Sequence, residues 1–302
     1  MCAPSGPVDP DAFSTGLEVL KSRYEVQVSP SLISRKIRYL AGDDRTRLRE
    51  LTSALLDPQI RAVFCARGGY GAMRIIDYLP LDQISENPKP VVGFSDITAL
   101  LLTLQLKGIV GIHGPVVTQM GVLPLSDLAH LWRLLEDPDY RPIYESSGSG
   151  THSEQQPQES YDGVLWGGNL AMLASSVGSF SPKNLPERGL LLIEEVAEPP
   201  YKIDRMLTQL ARAGFLANVK AVALGEMSAS NRGKRFSDDN SIKTSQAMED
   251  TLCEVLNQLG LPWVTGFGWG HGNTNPAWPM GVRGSLCPLE KQLTIHEPTV
   301  IR

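Results

Sequence analysis

The 302-residue sequence predicts an α/β protein of two domains. The length suits two compact domains better than one, and short apolar strands alternate with helices along most of the chain. A polar stretch rich in Gly, Ser and Gln at 146–160 predicts a linker. We therefore predict an N-terminal domain at 1–145 and a C-terminal domain at 161–302. The alternation is typical of a parallel sheet with helices on both faces.

The spacing of apolar residues predicts the elements of the N-terminal domain. The chain opens on a turn, Ala3–Pro7, and the strand that usually precedes such a turn would lie before Met1. The elements that follow are a helix at 10–24, a strand at 24–28, a helix at 43–56, a strand at 60–65, a helix at 72–78, a strand at 90–94 and a helix at 95–107.

The C-terminal domain shows the same alternation and no internal repeat. Its predicted elements are a strand at 161–166, a helix at 170–177, a strand at 189–193, a helix at 203–213, a strand at 219–224, a helix at 248–259 and a strand at 262–267. The last strand ends in a glycine cluster that contains His271. A histidine in such a loop suits a general base that a substrate approaches closely.

Composition argues against several classes of function. The net charge of -5 disfavours a partner that is nucleic acid or a membrane surface, and no apolar run approaches the length of a membrane span. The start of the chain lacks the features of a signal peptide, so we expect a cytoplasmic location. The cysteines and histidines show no metal-ligand spacing, and we expect neither a metal nor a cofactor. The widely spaced cysteines are Cys2, Cys65, Cys253 and Cys287.

Two motifs follow strands of the N-terminal domain. In Val91–Thr98 a strand runs into Ser95 at the start of a helix, which is the position of an exposed nucleophile or of a helix N-cap. The pattern is close to G-x-S-x-G, but Ile97 replaces the second glycine and an α/β-hydrolase elbow is not matched. In Ala66–Gly71 the glycines suit either a tight turn or a backbone N–H donor for an oxyanion.

Two further motifs follow strands of the C-terminal domain. Glu194 and Glu195 end an apolar strand, where a carboxylate can orient a histidine. His271 is the best candidate base, since His130 and His296 suit structural positions and His152 a solvated one, while His113 is ambiguous. Ser, Glu and His thus each follow a strand, as a nucleophile, an orienting acid and a base for acyl transfer would.

With these motifs in place, the chain resembles the LD-carboxypeptidase family of serine peptidases, the muramoyltetrapeptide carboxypeptidases, which also includes microcin C immunity proteins. The matching stretches cover nearly the whole chain in the expected order. They are Ala3–Gly6, Ala66–Gly71, Gly93–Ala99, Gly114–Pro115, Gly163–Leu170, Glu194–Arg205 and Gly270–His271.

The resemblance implies a catalytic triad in which Ser95 is the nucleophile, His271 the general base and Glu194 the orienting acid. The backbone amides of Asp96 and Gly69 would form the oxyanion hole. The implied fold is an N-terminal parallel-sheet α/β domain and a C-terminal β-rich α/β domain, with the active site in the cleft between them. The implied reaction releases terminal D-Ala from peptidoglycan tetrapeptides during cytoplasmic cell-wall recycling, and family members are commonly homodimers.

Some assignments stay open at this point. The family's acidic motif is usually Glu-Asp, and here Glu195 competes with Glu194. Arg67 is a candidate partner for the substrate carboxylate. Trp166 and Asn169 are candidates for the peptide subsites, although Trp166 equally suits the core. The alternatives are a microcin-immunity amidase acting on aminoacyl-nucleotide analogues, another type of hydrolase, and a non-catalytic module that binds muropeptides.

Overall fold

The computed structural model describes residues 1–148, 151–152, 160–229 and 239–300. The chain folds as two compact units. Unit 1 comprises Met1–Pro138, Pro276–Gly281 and residues 299–300, and unit 2 comprises Asp139–Asn275 and Val282–Pro298. Each unit has its own β-sheet and its own helices, which confirms the prediction of a two-domain α/β fold.

Helices and strands alternate along most of the chain. The helices are α1 (Pro10–Lys21), α2 (Asp44–Leu56), α3 (Leu81–Glu86), α4 (Thr98–Gln105), α5 (Val117–Met120), α6 (Leu125–Glu136), α7 (Leu170–Ser175), α8 (Pro200–Arg212) and α9 (Asp239–Gln258). The strands are β1 (Val63–Phe64), β2 (Val91–Gly93), β3 (Gly111–His113), β4 (Ile143–Glu145), β5 (Thr151–His152), β6 (Tyr161–Asn169), β7 (Gly189–Val196), β8 (Val219–Ser228), β9 (Trp263–Val264), β10 (Trp278–Met280), β11 (Arg283–Cys287) and β12 (Gln292–Ile295). Within the described ranges, no helix is both long enough and apolar enough to cross a membrane.

The sheet of unit 1 has the strand order β1-β2-β3-β10. The first three strands are parallel, and β10 returns from late in the chain to pair antiparallel with β3. Cys2 extends the sheet beyond β1 through a parallel bridge to Cys65. Because β1 and β2 are parallel neighbours, the glycine turn after β1 and Ser95 after β2 emerge at the same edge of the sheet.

The first two helices of unit 1 begin at side-chain caps. Asp9 accepts a hydrogen bond from the backbone N–H of Ala12 at 3.0 Å, and Asp43 caps α2 in the same way. Gly16 lets α1 approach α5 closely, because a Cβ there would lie 1.8 Å from the carbonyl oxygen of Val117. The predicted helices at 10–24 and 43–56 are therefore confirmed, although the first ends at Lys21.

Two N-terminal predictions were wrong. Residues 24–28 form no strand; instead, the Tyr24 ring packs edge-on against Trp132 and its hydroxyl donates to Glu136 at 2.5 Å. The Tyr24 side chain, which suggested a strand, thus fixes a loop by packing and a hydrogen bond. The predicted helix at 72–78 consists of two 3-10 turns, Ala72–Arg74 and Ile76–Tyr78, because Ile75 between them leaves helical geometry at φ -123°.

The sheet of unit 2 has the strand order β4-β12-β11-β6-β7-β8-β9-β5. Strands β6 to β9 are parallel and are connected in turn by α7, α8 and α9, while the outer strands pair antiparallel. The carboxyl ends of the parallel strands meet at one edge. This edge carries the acidic pair at the end of β7 and the glycine cluster after β9.

The two units divide the chain differently from the predicted boundaries. The change of unit falls between Pro138 and Asp139, and β10 belongs to unit 1. Within the stretch predicted as a linker, β5 pairs with β9, and the Ser147 N–H donates to the carbonyl oxygen of Gly266 at 3.1 Å. An edge strand needs only backbone hydrogen bonds, so polar composition does not exclude one. Residues 149–150 and 153–159 of that stretch lie outside the described residues.

Candidate active site

Ser95 occupies a strained turn between β2 and α4. Its φ is 61°, in the left-handed region that residues other than glycine rarely adopt. Phe94 and Asp96 on either side are buried, whereas Ser95 is half-buried. Phe94 holds the N-cap position of the 3-10 turn that follows, so Ser95 is not the N-cap. Strain of this kind, with a hydroxyl at a sheet edge, is typical of a catalytic serine.

The glycine turn after β1 lies directly against Ser95. A Cβ on Gly68 would lie 2.9 Å from the Cβ and 3.2 Å from the Oγ of Ser95, so any side chain there would displace the serine. Gly69 is exposed and has φ 100°, a conformation that glycine adopts without strain. Unit 1 therefore brings Ser95, Asp96 and the predicted amide donor of Gly69 together.

His271 is hydrogen-bonded to Glu194. The His271 Nδ1 lies 2.6 Å from Glu194 Oε2, and the two side chains are 6% and 0% exposed. Glu194 stands at the end of β7 and His271 in the loop after β9, two positions that the parallel sheet brings to one edge. A carboxylate on Nδ1 orients the imidazole and directs proton exchange to Nε2.

Glu195 lies on the other face of β7, because successive strand residues point in opposite directions. Its Oε2 accepts the Ala171 N–H at 2.6 Å, and its Oε1 accepts from Asn169 Nδ2 at 3.1 Å and from the Val196 N–H. Burial above all, and then the charge of Glu194, raise the pKa of Glu195 to about 7. The bonds of the Glu195 carboxylate thus hold the start of α7, on the face of β7 opposite to Glu194 and His271.

This raised pKa predicts that stability falls as pH rises. The folded protein keeps the Glu195 proton up to about pH 7, whereas the unfolded chain loses it near 4.5. Glu195 therefore lowers the free energy of unfolding progressively between about pH 4.5 and 7, by about 3 kcal/mol at most. We expect Glu195→Gln to remove this part of the decline in urea unfolding series across that window.

The measurement is the difference in slope between the stability–pH profiles of wild type and Glu195→Gln. The absolute stabilities are not compared, because the variant also loses an acceptor oxygen, which shifts its stability at every pH. Glu187→Gln, at an exposed position, is the matched control and should follow the wild-type profile. Parallel profiles for Glu195→Gln and wild type would contradict the prediction.

Glu226 is a third carboxylate near His271 that the sequence motifs did not reveal. The β7–β8 register shifts between Ile193 and Glu195, so that β8 carries an extra residue beside Glu226. Such bulges redirect side chains next to active sites. Burial, as the largest effect, raises the pKa of the Glu226 carboxylate, while the neighbouring His271 and the Gly272 N–H act in the opposite direction.

The loop that carries His271 is held by its own residues as well. The Gly270 N–H donates to Asn275 Oδ1 at 3.0 Å, and the Glu226 N–H donates to the carbonyl oxygen of Trp269 at 2.9 Å. Gly270 has φ 138°, and Trp269 is fully buried beneath the loop, stacked on Phe267. The glycine cluster is therefore a shaped support for His271. Only the glycines and the histidine were visible as signals in the sequence.

The predicted substrate-binding residues occupy different environments. Arg67 is exposed, and its Nη1 donates to the carbonyl oxygen of Pro7 at 2.6 Å. Trp166 is 1% exposed and packs closely over Gly189, so the structure places it in the core and not at an accessible surface. Asn169 is 5% exposed; it caps α7 through the Met172 N–H and donates to Glu195.

Each unit carries part of the set of predicted site residues. Unit 1 carries Ser95, Asp96, Gly69 and Arg67, and unit 2 carries the Glu194–His271 pair with Asn169 and Trp166. No cluster of three or more His, Cys, Asp or Glu side chains in the described part of the chain is arranged to hold a metal ion.

Two family patterns match the chain. The LD-carboxypeptidase N-terminal domain matches residues 1–114, and the LD-carboxypeptidase C-terminal domain matches residues 162–286. The chain belongs to the LD-carboxypeptidase family. The first match contains Ser95 with its glycine turn, and the second contains Glu194, Glu226 and His271. The predicted membership of a family of serine peptidases is confirmed.

Named relatives support this assignment. A putative carboxypeptidase of Streptomyces coelicolor is 34% identical over 99% of this chain and 93% of its own length. The murein tetrapeptide carboxypeptidase of Pseudomonas aeruginosa is 33% identical over 82% of this chain and 80% of its own. The crystal structure of the muramoyltetrapeptide carboxypeptidase from Oxalobacter formigenes is similar with a TM-score of 0.78, 29% identity and 98% coverage of both chains.

The family also includes an immunity protein. The microcin C7 self-immunity protein MccF of Escherichia coli is 24% identical over 98% of this chain and 91% of its own length. A structure of MccF in complex with glutamyl sulfamoyl guanosine has a TM-score of 0.80 at 23% identity, which shows the shared fold.

Proposed function

We propose that this enzyme is a serine-type murein peptide carboxypeptidase, which hydrolyses the amide bond between an L-centre and a terminal D-amino acid. The proposed reaction releases D-Ala from peptidoglycan tetrapeptides. The observation that carries the proposal is the 2.6 Å hydrogen bond between His271 and the buried Glu194, which prepares an oriented general base. The names of the relatives from Pseudomonas aeruginosa and Oxalobacter formigenes support the substrate class.

The first half of the reaction forms an acyl-enzyme. His271 Nε2 takes the proton of the Ser95 hydroxyl while Oγ attacks the carbonyl carbon of the scissile amide. Glu194 stabilises the imidazolium that results. His271 then gives this proton to the departing amine, the bond to the terminal D-amino acid breaks, and the remaining peptide stays esterified to Ser95.

The second half releases the shortened peptide. Water enters where the amino acid has left, His271 takes one of its protons, and the oxygen attacks the ester carbonyl. Collapse of this intermediate returns the proton to Ser95. In both halves the negative oxygen is stabilised by the N–H groups of Asp96 and Gly69, each worth about 3–4 kcal/mol in comparable enzymes.

A carboxypeptidase must also recognise the free carboxylate of its substrate. We assign this to Arg67, because its guanidinium is exposed and adjoins the glycine turn. Asn169 and Trp166 are already engaged in unit 2, so we give them supporting roles beneath the site. The cytoplasmic location, the homodimer and the absence of nucleic-acid, membrane and cofactor partners stay predictions.

Mass spectrometry of UDP-MurNAc-tetrapeptide incubated with the enzyme tests the proposal. We expect the loss of one alanine, with the tripeptide product left intact. A substrate that ends in L-Ala is the matched control and should persist. The alternative is an amidase of the MccF type, so an aminoacyl sulfamoyl adenosine is incubated in parallel. Cleavage of that compound with an intact tetrapeptide would reject the carboxypeptidase and favour the amidase.

The loop after β9 offers a separate prediction. A Cβ on Gly272 would lie 1.5 Å from Glu226 Oε2, so Gly272→Ala must displace either the carboxylate or the backbone next to His271. We expect kcat to fall about 10²-fold, the usual effect of a displacement of about 1 Å in a catalytic group. Gly260→Ala, where a Cβ meets nothing within 4 Å but φ is 67°, is the control for glycine replacement in the same unit: it should lower stability without lowering kcat. Unchanged turnover in Gly272→Ala would show that the carboxylate does not hold the loop.

A further inference from the structure

Two of the charged side chains that unit 1 buries, Arg47 and Asp96, lie close to the site residues, and the proposed mechanism uses neither charge. Arg47 on α2 is 0% exposed, and the Asp96 side chain, next to Ser95 in the chain, is 1% exposed. Burying a charge is unfavourable unless hydrogen bonds compensate for the lost water. The partners of these two side chains therefore indicate what the charges do.

The two side chains hold the same two segments from opposite sides. Asp96 Oδ2 accepts the Ser5 hydroxyl at 2.5 Å and the Ala72 N–H at 2.8 Å. Arg47 Nη1 donates to the carbonyl oxygen of Pro4 and to that of Gly71, the latter at 2.8 Å. The peptide group between Gly71 and Ala72 is thus bound at its oxygen by Arg47 and at its N–H by Asp96.

These two segments support the glycine turn that faces Ser95. The Gly6 N–H, next to Ser5, donates to the carbonyl oxygen of Gly68 at 2.9 Å. A Cβ on Gly69 would lie 3.4 Å from the Gly6 Cα. The turn at the start of the chain, Ala3–Pro7, therefore packs directly against the glycine turn. The other end of the glycine turn is Gly71, which the charged pair holds directly.

Glycine at position 71 fits the same arrangement. Its φ is 132°, and a Cβ there would lie 2.8 Å from Arg47 Nη1 and 2.7 Å from a Leu40 methyl group. A side chain at this position would push the guanidinium away from its two carbonyl partners. The Arg47 Nη2 also reaches Asp44, so the guanidinium is fixed on a second side.

We propose that the Asp96 carboxylate and the Arg47 guanidinium are positioning residues that hold the oxyanion-binding turn at its distance from Ser95. This inference rests on the proposed function, because it assigns the turn its role in stabilising the oxyanion. It gives Asp96 two tasks, a backbone N–H for the oxyanion and a carboxylate that sets the opposite donor. Neither side chain touches the substrate.

Steady-state kinetics of Asp96→Ala, Arg47→Met and Ser5→Ala with the tetrapeptide test this inference. Each variant also reacts with a fluorophosphonate probe, whose attack by Ser95 needs the same oxyanion donors. We expect kcat to fall about 10²-fold in the first two variants and about tenfold in Ser5→Ala, with KM within about threefold of wild type. The rate of probe labelling should fall in proportion to kcat.

Asp96→Asn is the conservative variant, because its amide oxygen still accepts from Ser5 and Ala72. We expect it to recover turnover to within about tenfold of wild type. Thermal unfolding shows whether each variant folds. Ser5→Ala removes one hydroxyl only, so it remains informative if Asp96→Ala or Arg47→Met fails to fold.

The outcomes separate the two proposals. Wild-type kcat in folded Ser5→Ala and Asp96→Ala, or a loss of kcat with unchanged labelling, would overturn the positioning role. Ser95→Ala is run beside them: activity in that variant would instead overturn the proposed function.

Discussion

Ser95→Ala is expected to lower kcat for release of the terminal D-Ala by about 10⁴- to 10⁶-fold. The substitution removes only the attacking oxygen, because the strained turn and the Gly68 contact remain. KM should change little, since the hydroxyl contributes to the transition state more than to binding. The measurement is single-turnover mass spectrometry, which also detects an acyl-enzyme in the wild type and its absence in the variant.

A structural control accompanies this variant. Alanine adopts a φ of 61° no more readily than serine, so the thermal midpoint of Ser95→Ala should stay close to that of wild type. Ser22→Ala, at the end of α1, is a matched serine variant at an exposed position. Retained activity in folded Ser95→Ala would remove Ser95 from the mechanism.

Glu194→Gln is expected to lower kcat about 10⁴-fold, whereas Glu195→Gln should lower it less than tenfold. The neutral amide at position 194 no longer stabilises the imidazolium, and its NH₂ group favours the wrong tautomer of His271. Glu195 faces Asn169 and the start of α7, so its loss affects stability more than turnover. Parallel kinetics of the two variants give the comparison.

Because positions 194 and 195 are neighbours, Glu194→Gln and Glu195→Gln serve as controls for each other. Both replace a buried carboxylate by an isosteric amide on the same strand, one residue apart. A general effect of replacing a buried carboxyl group by an amide would therefore lower both activities alike. The reverse order of activities would assign the triad acid to Glu195, and equal losses would show that the pair acts as one unit.

Local patterns predicted the elements and the positions of the site residues, but not how side chains meet. The spacing of apolar residues located α1, and strand ends located Ser95, Glu194 and His271. The period of two along β7 required the acidic pair to face opposite sides, yet only the sheet order decides which side the histidine occupies. That information lies in pairings distant in sequence.

The remaining differences have a similar origin. Glu226 reaches the histidine loop because a register shift in β8 redirects it, and a bulge leaves no clear sequence signal. Tyr24 suggested a strand because its ring is apolar, whereas Trp132, more than a hundred residues away in sequence, provides its packing partner. Asp96 was identified through its backbone amide, and its carboxylate acquires its partners only when Ser5 and Ala72, both distant in sequence, fold against it.

The antiparallel strand β10 has a consequence for synthesis of the protein. On the ribosome, β3 is made long before Trp278 arrives to pair with His113 and stack on its ring at 4.9 Å. Until then, the nascent first unit has an open sheet edge, and its last contact is among the most distant in the chain. A gene fragment that stops at Pro138 would encode a unit without this strand. Independent expression of the first unit therefore requires grafting Pro276–Gly281 onto it, for example by circular permutation.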